Sequence, residues 1–394
     1  MRVEELETFL VANPEPGFGG RYFIIVKLTT DDGIVGIGEC YVATFAARTV
    51  KAMIADVAER HLIGREPHHV ERTWRDVYGR GYNLRPDVSL MGVWSGLEMA
   101  CWDIIGKAAG RPVYELLGGR VHESLRSYTY LYPSERWPDV YSDPRHAAER
   151  AAEMVGLGFT AVKFDPAGPY TVFDGHQPTM DVLERSEAMV MAVREAVGES
   201  ADILFGTHGQ FTASGAIRLA RRIESYDPLW FEEPVPPDDV DGMAEVASRT
   251  TIPVATGERL TTKYEFERVL DARAAGILQP NLGRVGGLLE GKKIAGMAEA
   301  RQVQLAPHLY SGPVLGAANI QLATCTPNFL ILEGMERWDG FHAELLETPV
   351  RWEEGHVIPP TEPGLGVVLD EDVARSHPWD GDDLHLEMGT EKAD

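Results

Sequence analysis

The 394-residue chain predicts an α/β fold, a modified (β/α)8 TIM-like barrel preceded by an α+β domain, and three observations support this. From about residue 127, short apolar or β-branched runs alternate with longer Ala-rich, charged segments of helical period, the rhythm of strand, loop and crossover helix. Two of these runs close on Glu232 and Glu258, 26 residues apart. One strand, one helix and two loops occupy roughly 25 to 30 residues in such a barrel, so the spacing aims both side chains at the same mouth. The first 120 residues carry a different pattern, a hairpin followed by helices, which reads as α+β.

The elements follow in order. Residues 21–30 are β-branched and aromatic, Asp31-Asp32-Gly33 is a turn signal, and 34–37 resumes an apolar run, giving the hairpin. Residues 49–120 read as helical, with Val93, Leu97, Ala100, Cys101 and Ile104 on one face and Gly118-Gly119 as a stop. Domain one is therefore 1–120. The barrel, 121–346, has strands at 127–131, 161–164, 203–205, 229–231, 254–256, 276–278, 303–305 and 330–332, with helices such as 146–156, 180–197 and 213–225 between them. Residues 347–394 are rich in Pro, Gly and Asp and read as a tail packing back on the first domain.

Lys and Arg number 37 against 61 Asp and Glu, a net charge of −24 that argues against a nucleic-acid surface or an anionic membrane. An anionic substrate would then need local positive charge or a metal. Cys40, Cys101 and Cys325 are far apart and odd in number, which fits a reducing compartment, with cytoplasm as the expectation. No basic segment followed by an apolar core opens the chain and no run of about 18 apolar residues occurs, so neither a signal peptide nor a membrane span is expected.

Chemistry concentrates at the strand ends. Strand two ends in Lys163 and Asp165, strand three in Gly206 and His208, strand four in Glu232 and Glu233, and strand five in Glu258. Strand six ends in Gln279 and Asn281, strand seven leads to His308, and strand eight ends on Glu333. Carboxylates at one βα period suggest a metal site with a rung missing at Gly206. Two imidazoles at the same mouth suit proton transfer near neutral pH.

These residues, with the stretch 97–107, Pro112-Val113 and Leu116-Leu117-Gly118-Gly119, Phe231-Glu232-Glu233-Pro234 and Gln279-Pro280, resemble the enolase superfamily. The resemblance lies within its mandelate racemase and muconate-lactonizing group, near the galactonate dehydratase-like sugar-acid dehydratases. It implies Mg²⁺ held by Glu232 and Glu258, removal of the proton α to a carboxylate, a metal-stabilised enediolate, and loss of a β-hydroxyl to give a 2-keto-3-deoxy acid. It also implies His308 as base, His208 as acid toward the hydroxyl, and Glu333 against the substrate carboxylate. The first domain resembles a capping domain, with loops near 14–21 and 41–46 over the substrate. Lys163, Arg80, Tyr82 and Arg85 are the substrate-binding candidates, and a homo-oligomer is expected.

Two positions depart from that pattern. Gly206 stands where the family has a metal-binding Asp, and Asn281 where it has the Asp that pairs with the base histidine. Asp165, His208 or water is left to fill the first place. The second predicts a less basic His308, with Asp165 as an alternative base. A racemase, epimerase or cycloisomerase using the same enediolate is the competing activity, and a non-catalytic binding or regulatory barrel the competing class.

Overall fold

Two sheets organise the chain in the computed structural model, which describes residues 1–82 and 84–390. The last four residues of the tail lie outside that description. The first sheet is antiparallel and three-stranded, β1 (Val3–Ala12), β2 (Tyr22–Thr30) and β3 (Val35–Cys40) in that order. The hairpin β2–β3 turns at Gly33, whose φ of 83° suits a residue without a Cβ. β1 adds a strand that the hydrophobic pattern did not announce, because Glu4, Glu5 and Glu7 break up its apolar face.

Helices α1 (Ala47–His61), α2 (Val70–Gly79), α3 (Val88–Ala109) and α4 (Val113–Leu116) complete this domain. α3 is 22 residues long and apolar enough to cross a membrane, yet 72% of its most apolar window is buried inside the protein, where it is a core helix. It lies so close to β3 that a Cβ on Gly38 would stand 1.9 Å from the Gly96 carbonyl oxygen.

The barrel strands are β4 (Leu125–Tyr130), β5 (Ala161–Phe164), β6 (Asp202–Phe205), β7 (Trp230–Glu232), β8 (Val254–Thr256), β9 (Ile277–Leu278), β10 (Gln304–Leu305) and β11 (Leu332–Gly334). Each pairs in parallel with the next as far as β10, and β11 returns to β4 through Leu332 opposite Ser127. Leu305 bridges Phe329 to close the ring. This bears out the predicted fold class. Seven full helices cross between the strands: α5 (Pro144–Gly156), α6 (Met180–Val197), α7 (Ala213–Ile223), α8 (Val240–Arg249), α9 (Thr262–Ala272), α10 (Leu288–Ala300) and α11 (Pro313–Thr324). After β11 only the single-turn α12 (Phe341–Glu344) follows. Asp143, Thr179, Thr212 and Asp239 accept backbone N–H bonds at the starts of α5 to α8, which fixes where these helices begin. The bore is filled by Tyr128, Ala161, Leu204, Trp230, Ala255, Ile277, Ala306 and Ile331, large beside small, so it is a core and not a channel.

Buried carboxylates of the first domain lock it onto the barrel. Glu39 accepts from the backbone N–H of Gly312 and Leu315 at the start of α11, and Glu98 accepts from Leu288 and Leu289 at the start of α10. Helix N-termini carry unpaired N–H groups and partial positive charge, so both carboxylates sit where a helix favours them. Asp103 binds the N–H groups of Ile37 and Leu365 and the Lys107 ammonium, tying the tail to the same helix.

The tail does more than pack on the first domain. Its hairpin, β12 (Trp352–Glu353) with β13 (His356–Val357), pairs antiparallel with β4 of the barrel. α13 (Glu371–Ser376) then returns to the first domain, where Glu371 pairs with Lys27, and Thr171 of the barrel bridges Gly389 near the end.

Two buried histidines make this packing sensitive to pH. Burial pushes His342 down to about 4 and His385, packed edge-on to Tyr22, Tyr41 and Tyr310, down to about 3. Both therefore bind protons more readily unfolded, near 6.5, than folded. Their contribution is fully present above that unfolded value and is lost as pH falls towards the folded ones. Melting temperature is expected to drop as pH falls from 6.5 to 4, and a flat profile over that window contradicts this account.

Candidate active site

Strand alternation delivers the site. Residues two apart on a strand share a face, so Lys163 and Asp165 project together while Phe164 enters the core, and Glu232 follows Trp230 in the same way. The strand ends open into a cavity of about 400 Å³, lined by Lys163, Asp165, His208, Glu258, His308 and Glu333 from the barrel, Tyr41 from the first domain and Leu386 from the tail.

Lys163, almost wholly buried, pairs with Glu232 and stands 3.8 Å from Glu333 Oε1. The second oxygen of Glu232 accepts from Trp230 Nε1 at 3.0 Å and Gln279 Nε2 at 2.8 Å. Burial pushes the Glu232 carboxyl up, to about 8, against the pull of Lys163. Glu333 accepts from the Leu309 N–H at 2.7 Å.

Glu258 lies between the two imidazoles, its Oε2 3.5 Å from His308 Nε2 and its Oε1 4.0 Å from His208 Nε2. Burial alone would raise Glu258, but His308, His208 and Lys163 draw it below the usual carboxylate range. Behind His308, Asn281 Nδ2 stands 2.8 Å from Nδ1, and burial lowers that imidazole below its ordinary value. Behind His208, Asp165 Oδ2 stands 2.9 Å from Nδ1. Burial would lower this ring too, but the Asp165 charge overrides it and raises His208 to about 9. Tyr170 packs on the His208 ring with centroids 4.3 Å apart.

Gly206 has a steric reason. A Cβ at this position would stand 1.8 Å from Asp165 Oδ1, so the Asp165 carboxylate occupies space that any side chain at 206 would need. Asp165 thereby reaches His208.

A divalent cation fits these residues. His208, Glu232 and Glu258 each offer a ligand atom, all within 4.8 Å of one another, and Glu258 Oε2 and Asp165 Oδ1 are buried without hydrogen-bond partners among the described residues. Unsatisfied buried carboxylate oxygens are costly unless a cation or ordered water meets them. Two carboxylates suit Mg²⁺, which keeps several waters, while an imidazole in the third place would favour softer ions.

Three substrate-binding candidates are corrected. Arg80, Tyr82 and Arg85 do not line this cavity; Tyr82 is 96% exposed. Tyr82 and Leu84 have left-handed backbone, with φ of 66° and 49°, and both are exposed, while Arg85 lines a separate groove with Arg75 and Arg268. The cationic side chains at the cavity are Lys163 and Arg185, the latter on α6. Of the two loops expected over the site, 41–46 contributes Tyr41 and 14–21 places Phe18 against Tyr132, ring centroids 4.1 Å apart. Five further cavity tyrosines, Tyr130, Tyr132, Tyr141, Tyr170 and Tyr310, went unread in the sequence. Only Tyr130 and Tyr132 carry a signal, alternation at the end of β4.

The Gly206 account is testable by a double-mutant cycle. Gly206→Ala is expected to lower unfolding free energy by about 1–3 kcal/mol through overpacking. Adding Asp165→Ala should remove most of that loss, whereas additive effects in chemical denaturation would mean that the two side chains do not compete.

Comparison with known proteins places the chain. The family model described as mandelate racemase/muconate lactonizing enzyme, N-terminal domain, matches residues 18–118, and that described as enolase C-terminal domain-like matches 146–373. A D-galactonate dehydratase of Ralstonia nicotianae is 36% identical over 358 residues, 89% of each chain. A D-gluconate dehydratase of Thermoproteus tenax is 34% identical over 377 residues, 95% of this chain and 74% of the other. Among solved structures, a Labrenzia alexandrii DFL-11 protein named with the mandelate racemases and muconate lactonizing enzymes superposes at a TM-score of 0.98, with 65% identity and full coverage of both chains. A mandelate racemase/muconate lactonizing enzyme from a Sulfitobacter species gives 0.98 at 53% identity, again over the whole of both.

Proposed function

We propose that this chain, which belongs to the mandelate racemase/muconate lactonizing enzyme family of the enolase superfamily, is a divalent-metal-dependent hydro-lyase that dehydrates a sugar acid. The observation that carries the reading is the pair of imidazoles, His208 and His308, facing one buried glutamate in one cavity. Elimination of water needs the proton α to the carboxylate taken and a proton given to the departing β-hydroxyl, by one group or by two, and imidazoles are suited to both steps. Dehydratase names among relatives at 32–36% identity support it.

The chain's residues divide the work. Lys163, with its charge held by Glu232 and Glu333, and Arg185 supply positive charge where an anionic acid would bind, which a protein of net charge −24 otherwise opposes. Glu232 and Glu258 would hold the cation, and Mg²⁺ suits them; when bound it stabilises the negative charge that grows on the substrate carboxylate as the α-proton leaves. Tyr41 and Leu386 close the cavity from outside the barrel, and a drier site strengthens each of these interactions. The α C–H and β C–O bonds break, water leaves, and the resulting enol tautomerises to a 2-keto-3-deoxy acid.

Imidazoles flanking one position also suit racemisation or epimerisation, so the product decides. Incubation with a panel of aldonic and aldaric acids and Mg²⁺ or Mn²⁺ should release keto acid from at least one, with activity lost on chelation and restored by the cation. An epimer formed without keto acid would favour the racemase reading. Neither product nor α-proton exchange in D₂O with any acid would leave a binding barrel.

A further inference from the structure

Gly206 and Asn281 look like separate losses, but the geometry joins them. Asn281 Oδ1 accepts from the Gly283 N–H at 2.9 Å, which fixes the amide orientation: turned over, its NH₂ would face that N–H donor to donor. Its Nδ2 therefore donates to His308 Nδ1, 2.8 Å away. An imidazole that accepts at Nδ1 carries its proton on Nε2 when neutral, and Nε2 is the nitrogen that faces Glu258 and the cavity. An aspartate at position 281 would impose the opposite tautomer, with Nε2 bare.

The converse holds across the mouth. Asp165 Oδ2 is the nearest acceptor to His208 Nδ1, 2.9 Å away though out of line for a formed hydrogen bond, so this carboxylate favours the neutral His208 tautomer with its proton on Nδ1 and a bare Nε2 towards the cavity. Asp165 holds this position because Gly206 leaves the space.

We propose that the imidazole–carboxylate pair of this barrel has moved from the β9 and β10 ends to the β5 and β6 ends: His208, positioned by Asp165, takes the α-proton, and His308, positioned by Asn281, acts as a hydrogen-bond donor. The role assignment rests on the dehydratase reading; the tautomer does not. In the reaction His208 acts from its neutral form, the minor one near neutral pH because the Asp165 charge raises the ring to about 9: the α C–H bond breaks, its proton passes to His208 Nε2 and its electron pair enters the enediolate. When the β C–O bond breaks, that proton leaves with the hydroxyl as water, and His208 returns to its starting state. His308 Nε2–H stays in place throughout, directed at substrate oxygen.

The full-length protein with ¹⁵N-labelled histidines, compared with His308→Gln to identify the ring, reads the tautomer directly. The expected spectrum has His308 protonated at Nε2 and bare at Nδ1, and Asn281→Asp reverses it; wild-type His308 protonated at Nδ1 overturns the proposal. α-Proton exchange in D₂O with galactonate, gluconate or xylonate and Mn²⁺ tests the roles. His208→Gln should lose about 10²–10⁴-fold, the usual worth of a proton-transfer group, while His308→Gln, which keeps a donor, should stay within about tenfold. The reverse order overturns the assignment. So does a loss of Mn²⁺ affinity in His208→Gln beyond the about 10–100-fold that a neighbour of a ligand costs, read by spin resonance, which would make His208 a ligand. If the wild type exchanges none of these acids, the proposed activity is what fails, and the ring spectrum still decides the tautomer.

Discussion

Four carboxylates, Asp165, Glu232, Glu258 and Glu333, share the barrel mouth with one lysine ammonium, and the surrounding structure follows from that imbalance. Buried like charges repel strongly where water is excluded, and a buried carboxylate without a partner costs several kcal/mol. Lys163 serves Glu232 and Glu333, His208 serves Asp165, and Glu258 is left between two imidazoles with an unpartnered oxygen. A divalent cation would complete this arrangement.

The same constraint gives the first domain its importance. A site that relies on strong electrostatics must be closed from above, and closure needs two domains held in register. Glu39 and Glu98 do this by capping α11 and α10 of the barrel, so the first domain is fastened to the elements that follow β10 and β9, beside His308 and Asn281. Tyr41 follows Glu39 by two residues and lines the cavity, so the segment that fastens the domain also builds the roof.

How much of this the sequence reveals depends on the range of the interaction. Strand periodicity is local, and the strands at 161–164 and 254–256 stand where the pattern puts them. The last strand lies two residues later, at Leu332–Gly334, because Ile331 turns into the barrel interior and an apolar run does not reveal which of its residues pair. Glu232 and Glu258 are legible because barrel symmetry turns spacing into direction. The same logic fails for Arg80, Tyr82 and Arg85, whose positions follow from an irregular turn in the first domain. Gly206 reads as a missing ligand in the sequence; only three dimensions show that the neighbouring strand's carboxylate fills the place of its side chain. The tyrosines come from loops and from two domains, and no one-dimensional pattern links them.

The central claim is that this mouth is a divalent-cation site built on Glu232 and Glu258 although Gly206, after β6, supplies no carboxylate. Anomalous scattering from crystals soaked in Mn²⁺ tests it most directly. A peak bounded by those two carboxylates, with the Lys163 ammonium displaced from its contact with Glu232, is the predicted result. Lys163 still seated on Glu232 and no peak at the mouth at saturating Mn²⁺ would contradict it.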